Sequence, residues 1–258
     1  PYPHSSRNQT KLQRIKRKIR IIMGTSYAPN IVKDGLVFYV DAANPRSYPG
    51  SGTTCNTLVG SNEGTLQSSH MFENINMGAF ALDGVDEQID FANSTNFPVD
   101  YEDFTISLWF KADPTDWGNN FERGIFSFGD GTGAGNEFKI TMYRYTSDDD
   151  ARITIRMANW SLYNPGNMFN VWHNVTVTHT NGDRPTGTRT VRETFFNNVS
   201  LENRSIYSVD LGTANPIIGN RSNQRFKGQI GPIMIHNKKL SNSELTQNYN
   251  ALKGRFGL

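Results

Sequence analysis

The chain has a single cysteine, Cys55, among 258 residues, so no disulfide can form within it. A lone cysteine suits a small buried apolar role better than that of a nucleophile, and the lack of bridges fits assembly under reducing conditions. The five histidines, His4, His70, His173, His179 and His236, show no ligand or triad spacing. Glu87 and Asp90 lie three apart, so on a strand they would point to opposite faces and could not act as a catalytic carboxylate pair. No apolar run approaches the ~20 residues that a membrane-spanning helix needs. Acids are missing from residues 1–22, which carry Arg7, Lys11, Arg14, Lys16, Arg17, Lys18 and Arg20. Setting these seven aside leaves 19 basic against 24 acidic residues, a body of about −5 that is poorly suited to nucleic acid.

Strands are abundant by contrast. In Phe104–Lys111, Phe104, Ile106, Leu108 and Phe110 alternate with Thr105, Ser107, Trp109 and Lys111. This is the period-2 pattern of a strand with one packed face and one partly wet face. Burying the four apolar side chains contributes roughly 6–12 kcal/mol, an upper estimate that demands a second sheet to cover them. Similar segments run over Leu36–Val40, Gly124–Phe128, Phe138–Tyr143, Arg152–Met157, Trp172–Thr178, Pro216–Gly219 and Gln229–Ile235. Asp83-Gly84 reads as the turn of a hairpin joining Ala79–Leu82 to Glu87–Ala92, and Thr190–Asn197 pairs back on Trp172–Thr178. Glu63-Gly64 falls in a stretch read as polar loop. Strands at this spacing with no helix between them predict an all-β, two-sheet antiparallel jelly-roll sandwich.

One helix is expected, at the C-terminal end. Ser241 and Glu244 have capping-box spacing, Leu245, Tyr249 and Leu252 form one face, and Gly254 is placed to end it. The organisation is thus a basic arm or translated leader over 1–30 and a sandwich domain over 31–258. Leu12, Ile15, Ile19 and Ile22 give the arm an amphipathic helical pattern, while Met23-Gly24 is a natural initiation point.

The segments Asp34–Ala42, Asn44–Gly52, Phe80–Asp86, Phe104–Phe110, Trp172–Val175 and Phe226–Ser241 resemble, in that order, the laminin-G-like, concanavalin A-like lectin/glucanase domains. The closing Gln247–Phe256 segment is similar to those in structural proteins of tailed phages. The resemblance implies a concanavalin A-like sandwich with one short C-terminal helix. It also implies a non-enzymatic subunit on the outer surface of a virion, as capsid decoration or a tail or fibre component, oligomeric and in contact with other virion proteins. A glycan-binding receptor-recognition module and a glycoside hydrolase are the other activities that the fold hosts. The E-x-D-x-x-E strand signature of laminarinase-type relatives is absent, so no catalytic residue is expected. No cofactor is expected beyond a structural calcium. Two departures bear on that: Cys55 stands where the family often has tryptophan, and Gly231 stands where it often has the acid that helps hold calcium.

Cell-surface polysaccharide, the partner of the second reading, is recognised by rings that stack on sugars beside amides that bond hydroxyls. Two aromatic clusters answer that description: Trp117 with Asn119 and Asn120, and Asn159-Trp160 with Tyr163 and Asn164. The alternative is that these rings cap the edges of the core. Asp148-Asp149-Asp150 lacks EF-hand spacing and reads as a hairpin tip rather than a calcium loop. The Gly-rich run at Asp130-Gly131 lacks the Lys-Ser/Thr of a phosphate loop.

Overall fold

The computed structural model describes residues 29–92, 97–98, 102–115, 121–129, 137–144, 151–157, 159–180, 189–207, 211, 215–220 and 223–258, with backbone alone at 159, 160, 189, 190, 205 and 207. The basic arm, Trp117, Asn119 and the Asp148–Asp150 run lie outside these residues.

The chain forms two antiparallel sheets packed face to face, as the alternation predicts. One sheet is built on β6 (Phe104–Ala112), flanked by β15 (Lys227–His236) and β11 (His173–Thr180). It continues through β1 (Leu36–Val40) beside β15, and through β12 (Arg189–Phe196) and β13 (Val199–Tyr207) beyond β11, with β4 (Phe80–Asp83) also paired to β15. The other sheet runs β10 (Asn159–Tyr163), β9 (Ala151–Met157), β8 (Glu137–Arg144), β7 (Phe121–Gly129), β14 (Ile217–Ile218), β5 (Ile89–Phe91), β3 (Glu63–Leu66) and β2 (Thr54–Asn56). Phe104, Ile106, Leu108 and Phe110 are at most 1% exposed and meet Phe126, Phe128, Phe138, Ile140, Ile153 and Ile155 across the interface. The two ends of the fold close on each other, β1 pairing with β15 through Tyr39 and Met234.

Four details depart from the expectations. The stretch read as polar loop supplies β2 and β3, because Cys55, Gly64 and Leu66 turn inward and β3 pairs with β5. The opposite face of β6 is not wet: Trp109 is fully buried, stacked on Phe256 at 4.5 Å and Tyr249 at 5.5 Å between ring centroids. The cover is α1 (Asn242–Leu252), whose capping box is complete: Ser241 Oγ accepts from the Glu244 N–H, and Glu244 Oε2 accepts from the Ser241 N–H at 2.8 Å. The helix does not stop at Gly254 but continues as a 3-10 turn, Lys253–Arg255, and it is Gly257 that takes the left-handed conformation at φ +77°. Nor is Asp83-Gly84 a hairpin. It carries the chain from β4 in one sheet to β5 in the other, its backbone met by side chains. Glu87 Oε2 accepts from the Asp83 N–H at 2.7 Å, and Arg123 Nη1 donates to the Gly84 carbonyl at 3.2 Å.

The C-terminal turn is latched by Arg255. Its Nη1 reaches both Asp41 carboxylate oxygens at 2.8 Å, its Nε donates to the Asn76 carbonyl, and its Nη2 donates to that of Gly78. Asn76 returns a hydrogen bond to the Arg255 carbonyl at 2.8 Å and accepts from Trp172 Nε1 at 3.0 Å. Cys55 is buried, and burial pushes its thiol up to about 12.

Candidate functional site

The outward face of the eight-stranded sheet is polar where its inward face is aromatic. Register places one residue from every strand in a single cross-sheet row: Thr54, Thr65, Asp90, Ile217, Ser127, Lys139, Arg156 and Trp160. A parallel row holds Gly124, Thr141, Thr154 and Leu162, and a third holds Glu122, Tyr143 and Arg152. Alternation forces this, since Phe138, Ile140 and Met142 face inward and so turn Lys139, Thr141 and Tyr143 outward.

Between these rows lies a groove of about 230 Å³ lined by Glu122, Tyr143, Thr154 and Arg156. Glycine at 124 contributes no side chain to the floor beside Thr141. Thr141 is fully buried, and its hydroxyl donates to Glu122 Oε1 at 2.6 Å, fixing that carboxylate at the groove wall. Lys139, also fully buried, is neutralised by Glu137 at 2.9 Å. Thr154 is 2% exposed, and its Oγ1 has no hydrogen-bond partner in the structure. Arg156 is exposed beside it on the same face of β9. An aromatic ring, two hydroxyl-bonding groups and a guanidinium around an open polar floor can hold a polyhydroxylated ring.

Sequence reasoning looked for aromatics on loops and missed this face. Of its candidates, Asn159, Trp160 and Tyr163 lie on a strand, β10, which pairs with β9 along its length. The backbone sets Trp160 opposite Arg156, next to the groove. Tyr163 pairs with Ile153, packs against the core, and donates its hydroxyl to the Glu202 carboxylate. Burial, reinforced by that bond, pushes the Tyr163 hydroxyl above its ordinary value. Burial alone would raise Glu202, but the bonds from Tyr163 and Ser161 and the charges of Arg192 and Arg204 outweigh it and hold the carboxyl low. Arg192, fully buried, donates to Ser161 Oγ and lies 3.6 Å from Glu202. This network zips the edge between β10 and β12–β13, the edge-capping alternative for Tyr163. Asn164 accepts from the Gly166 N–H at 3.1 Å in the turn that follows.

Among the described residues no group of three His, Cys, Asp or Glu side chains is placed to hold a metal. Gly231, where the resembled family often carries an acid, packs against the C-terminal aromatic stack: a Cβ there would lie 3.0 Å from Phe256 Cζ and 3.1 Å from Trp109 Cβ. No helix among the described residues is long and apolar enough to cross a membrane.

The fold is a concanavalin A-like β-sandwich. The family model for the concanavalin A-like lectin/glucanases superfamily matches residues 83–246, well over half of the chain, and the chain belongs to that superfamily. No curated protein sequence matches it. Among solved structures, domain 4 of AbnA, a GH43 extracellular arabinanase from Geobacillus stearothermophilus in complex with arabinotriose, superposes with a TM-score of 0.57. The identity is 16%, over 84% of this chain and 98% of that domain. The binding domain of botulinum neurotoxin serotype D gives 0.60 at 16% identity over 84% of this chain and 51% of that one, and the same serotype's ligand binding domain in complex with N-acetylneuraminic acid gives 0.59. Trypanosoma rangeli sialidase in complex with the inhibitor DANA gives 0.59 at 14% identity, over 93% of this chain and 38% of the enzyme. The chain therefore spans about half the length of the toxin domains, and at these identities the likeness is one of fold.

Proposed function

We propose that this chain is a non-enzymatic carbohydrate-binding module displayed on the outer surface of a phage particle. The observation that carries the binding role is the groove on the eight-stranded sheet, where the buried Thr154 hydroxyl lacks a partner beside the Tyr143 ring, Glu122 and Arg156. An unpaired buried hydroxyl costs about 1–3 kcal/mol, a cost that a sugar hydroxyl would offset. Two of the similar structures are complexes with saccharides, arabinotriose and N-acetylneuraminic acid, which supports the same reading.

The non-enzymatic part rests on how the carboxylates of this face are held. Glu122 Oε1 accepts the Thr141 hydroxyl at 2.6 Å and Glu137 is paired with the buried Lys139 ammonium at 2.9 Å, so both are engaged within the fold. A glycosidase needs one carboxyl kept as general acid and a second poised across the same glycosidic bond. The virion setting rests on the likeness of the closing helix segment, Gln247–Phe256, to phage structural proteins. In that setting the basic segment before residue 30 would attach the module to neighbouring virion proteins, and mass spectrometry of purified particles tests it. For the binding role the test is isothermal titration with arabinotriose, N-acetylneuraminic acid and a panel of bacterial surface oligosaccharides. At least one should bind, with affinity falling about tenfold in Tyr143→Ala while the melting curve is kept. Binding that ignores Tyr143 and Thr154→Val, or no binding at all, would overturn the assignment.

A further inference from the structure

We propose that the groove selects a sugar bearing a carboxylate, with Arg156 as the group that reads it; the inference rests on the carbohydrate role assigned to the same groove. The other cations placed on this face have partners within the fold. Lys139 is buried against Glu137 at 2.9 Å, and Arg225 Nη1 donates to the Asp86 carbonyl at 3.0 Å and to Gln88. Arg152 is engaged as well. Arg156 is the exception among the described residues on these strands: it is exposed, and its guanidinium makes no hydrogen bond or ion pair.

A free surface arginine alone is ordinary. What gives this one meaning is its neighbour two residues back on the same face, Thr154, 2% exposed with its hydroxyl unpartnered. Same-face residues two apart are separated by about 7 Å along a strand, on the order of one pyranose ring with its exocyclic carboxylate. A guanidinium fork takes a carboxylate through two parallel hydrogen bonds, a geometry that a neutral hydroxymethyl cannot reproduce. Across the groove Glu122 supplies the opposite preference. Its Oε1 already accepts the Thr141 hydroxyl at 2.6 Å, so the carboxylate stays put, accepts sugar hydroxyls and repels a second acid. Attraction at Arg156 and repulsion at Glu122 together fix which way round an acidic sugar lies. The ring of Tyr143, which the register sets opposite Glu122, offers the stacking face.

Two sources could present this chemistry, a uronate polymer or a terminal sialic acid, and the experiment separates them. Binding of tetragalacturonate and its carboxyl-reduced counterpart, and of 3′-sialyllactose and lactose, is titrated at low and high salt. At least one acidic member should bind about tenfold or more tighter than its neutral counterpart, with the difference shrinking at high salt. Arg156→Gln should remove that difference while the melting curve is kept, and Arg156→Lys should restore part of it. Preference for tetragalacturonate identifies a uronate polymer, and preference for sialyllactose a terminal sialate. Equal binding of acidic and neutral sugars that still depends on Tyr143 would overturn this inference and leave the carbohydrate role standing. Absence of binding by all four would count against both.

Discussion

Replacing Arg255 with alanine should unlatch the C-terminal turn, and the structure gives the size of the effect. The Arg255 and Asp41 side chains are 9% and 8% exposed, so this ion pair is nearly dry. Losing the guanidinium leaves the Asp41 carboxylate with only the Ala43 N–H at 3.0 Å and the Tyr39 hydroxyl at 3.4 Å, and it strips donors from the Asn76 and Gly78 carbonyls. Removing one partner of a buried pair costs about 3–5 kcal/mol, most of it from the charge left behind. For a domain of this size that corresponds to a melting temperature lower by roughly 6–20 °C. Urea unfolding followed by tryptophan fluorescence is a direct assay, because Trp109 and Trp172 both pack on Phe256 beside the latch. Arg255→Lys should recover only part of the loss, since a single ammonium cannot serve both Asp41 oxygens and two carbonyls. The double variant Asp41→Ala/Arg255→Ala should be clearly less destabilised than the sum of the single variants. A cost below about 1 kcal/mol for Arg255→Ala, or strict additivity in that cycle, would refute the latch.

Burial holds His173, His179 and His236 below the ordinary histidine value, His173 at about 4. The unfolded chain takes up protons on these side chains below pH ~6.5 while the folded one resists, so stability should fall as pH drops from about 6.5 towards 4. His173 alone accounts for about 2–3 kcal/mol of that loss, and a urea midpoint unchanged between pH 7.5 and 4.5 would contradict it. Gly231→Asp should destabilise by about 2 kcal/mol or more, because its Cβ meets Phe256 and Trp109 at 3.0–3.1 Å, and added calcium should not restore the melting temperature. Trp109→Ala should cost about 3–5 kcal/mol in a denaturant titration, the range for emptying a buried aromatic site; a cost under 1 kcal/mol would mean that α1 does not seal this face.

The sandwich was legible because its determinants are local. Period-2 alternation in Phe104–Phe110 names the inward face, and Ser241 with Glu244 marks the helix start through contacts three residues apart. What alternation does not reveal is the cover on the other face: Trp109 is sealed by Tyr249 and Phe256, about 140 positions downstream. The turn chemistry of Asp83-Gly84 signals a reversal, yet whether the next strand pairs back or crosses to the second sheet depends on β15, β3 and β14, which claim the edges of β4 and β5. The groove was hidden for the same reason, its four lining residues coming from three strands separated by loops. A signal did exist in the outward positions of β8 and β9, where Lys139, Thr141, Tyr143, Arg152, Thr154 and Arg156 carry more chemistry than a merely solvated face requires. The burial of Cys55 and the capping box at the start of the C-terminal helix follow the sequence reading, while the helix end does not, and Trp117 and Asn119 lie outside the described residues.

The central claim is that saccharide binds on the outward face of β7–β9. Backbone amide chemical shifts of the nitrogen-15-labelled protein, followed as tetragalacturonate or 3′-sialyllactose is titrated in, test it most directly. The account predicts saturable shifts centred on Glu122, Tyr143, Thr154 and Arg156, with α1 and the Asp41–Arg255 latch unmoved. Shifts centred on the segment around Trp117, or on the β10–β13 edge at Tyr163 and Glu202, with the groove residues unmoved, would contradict it.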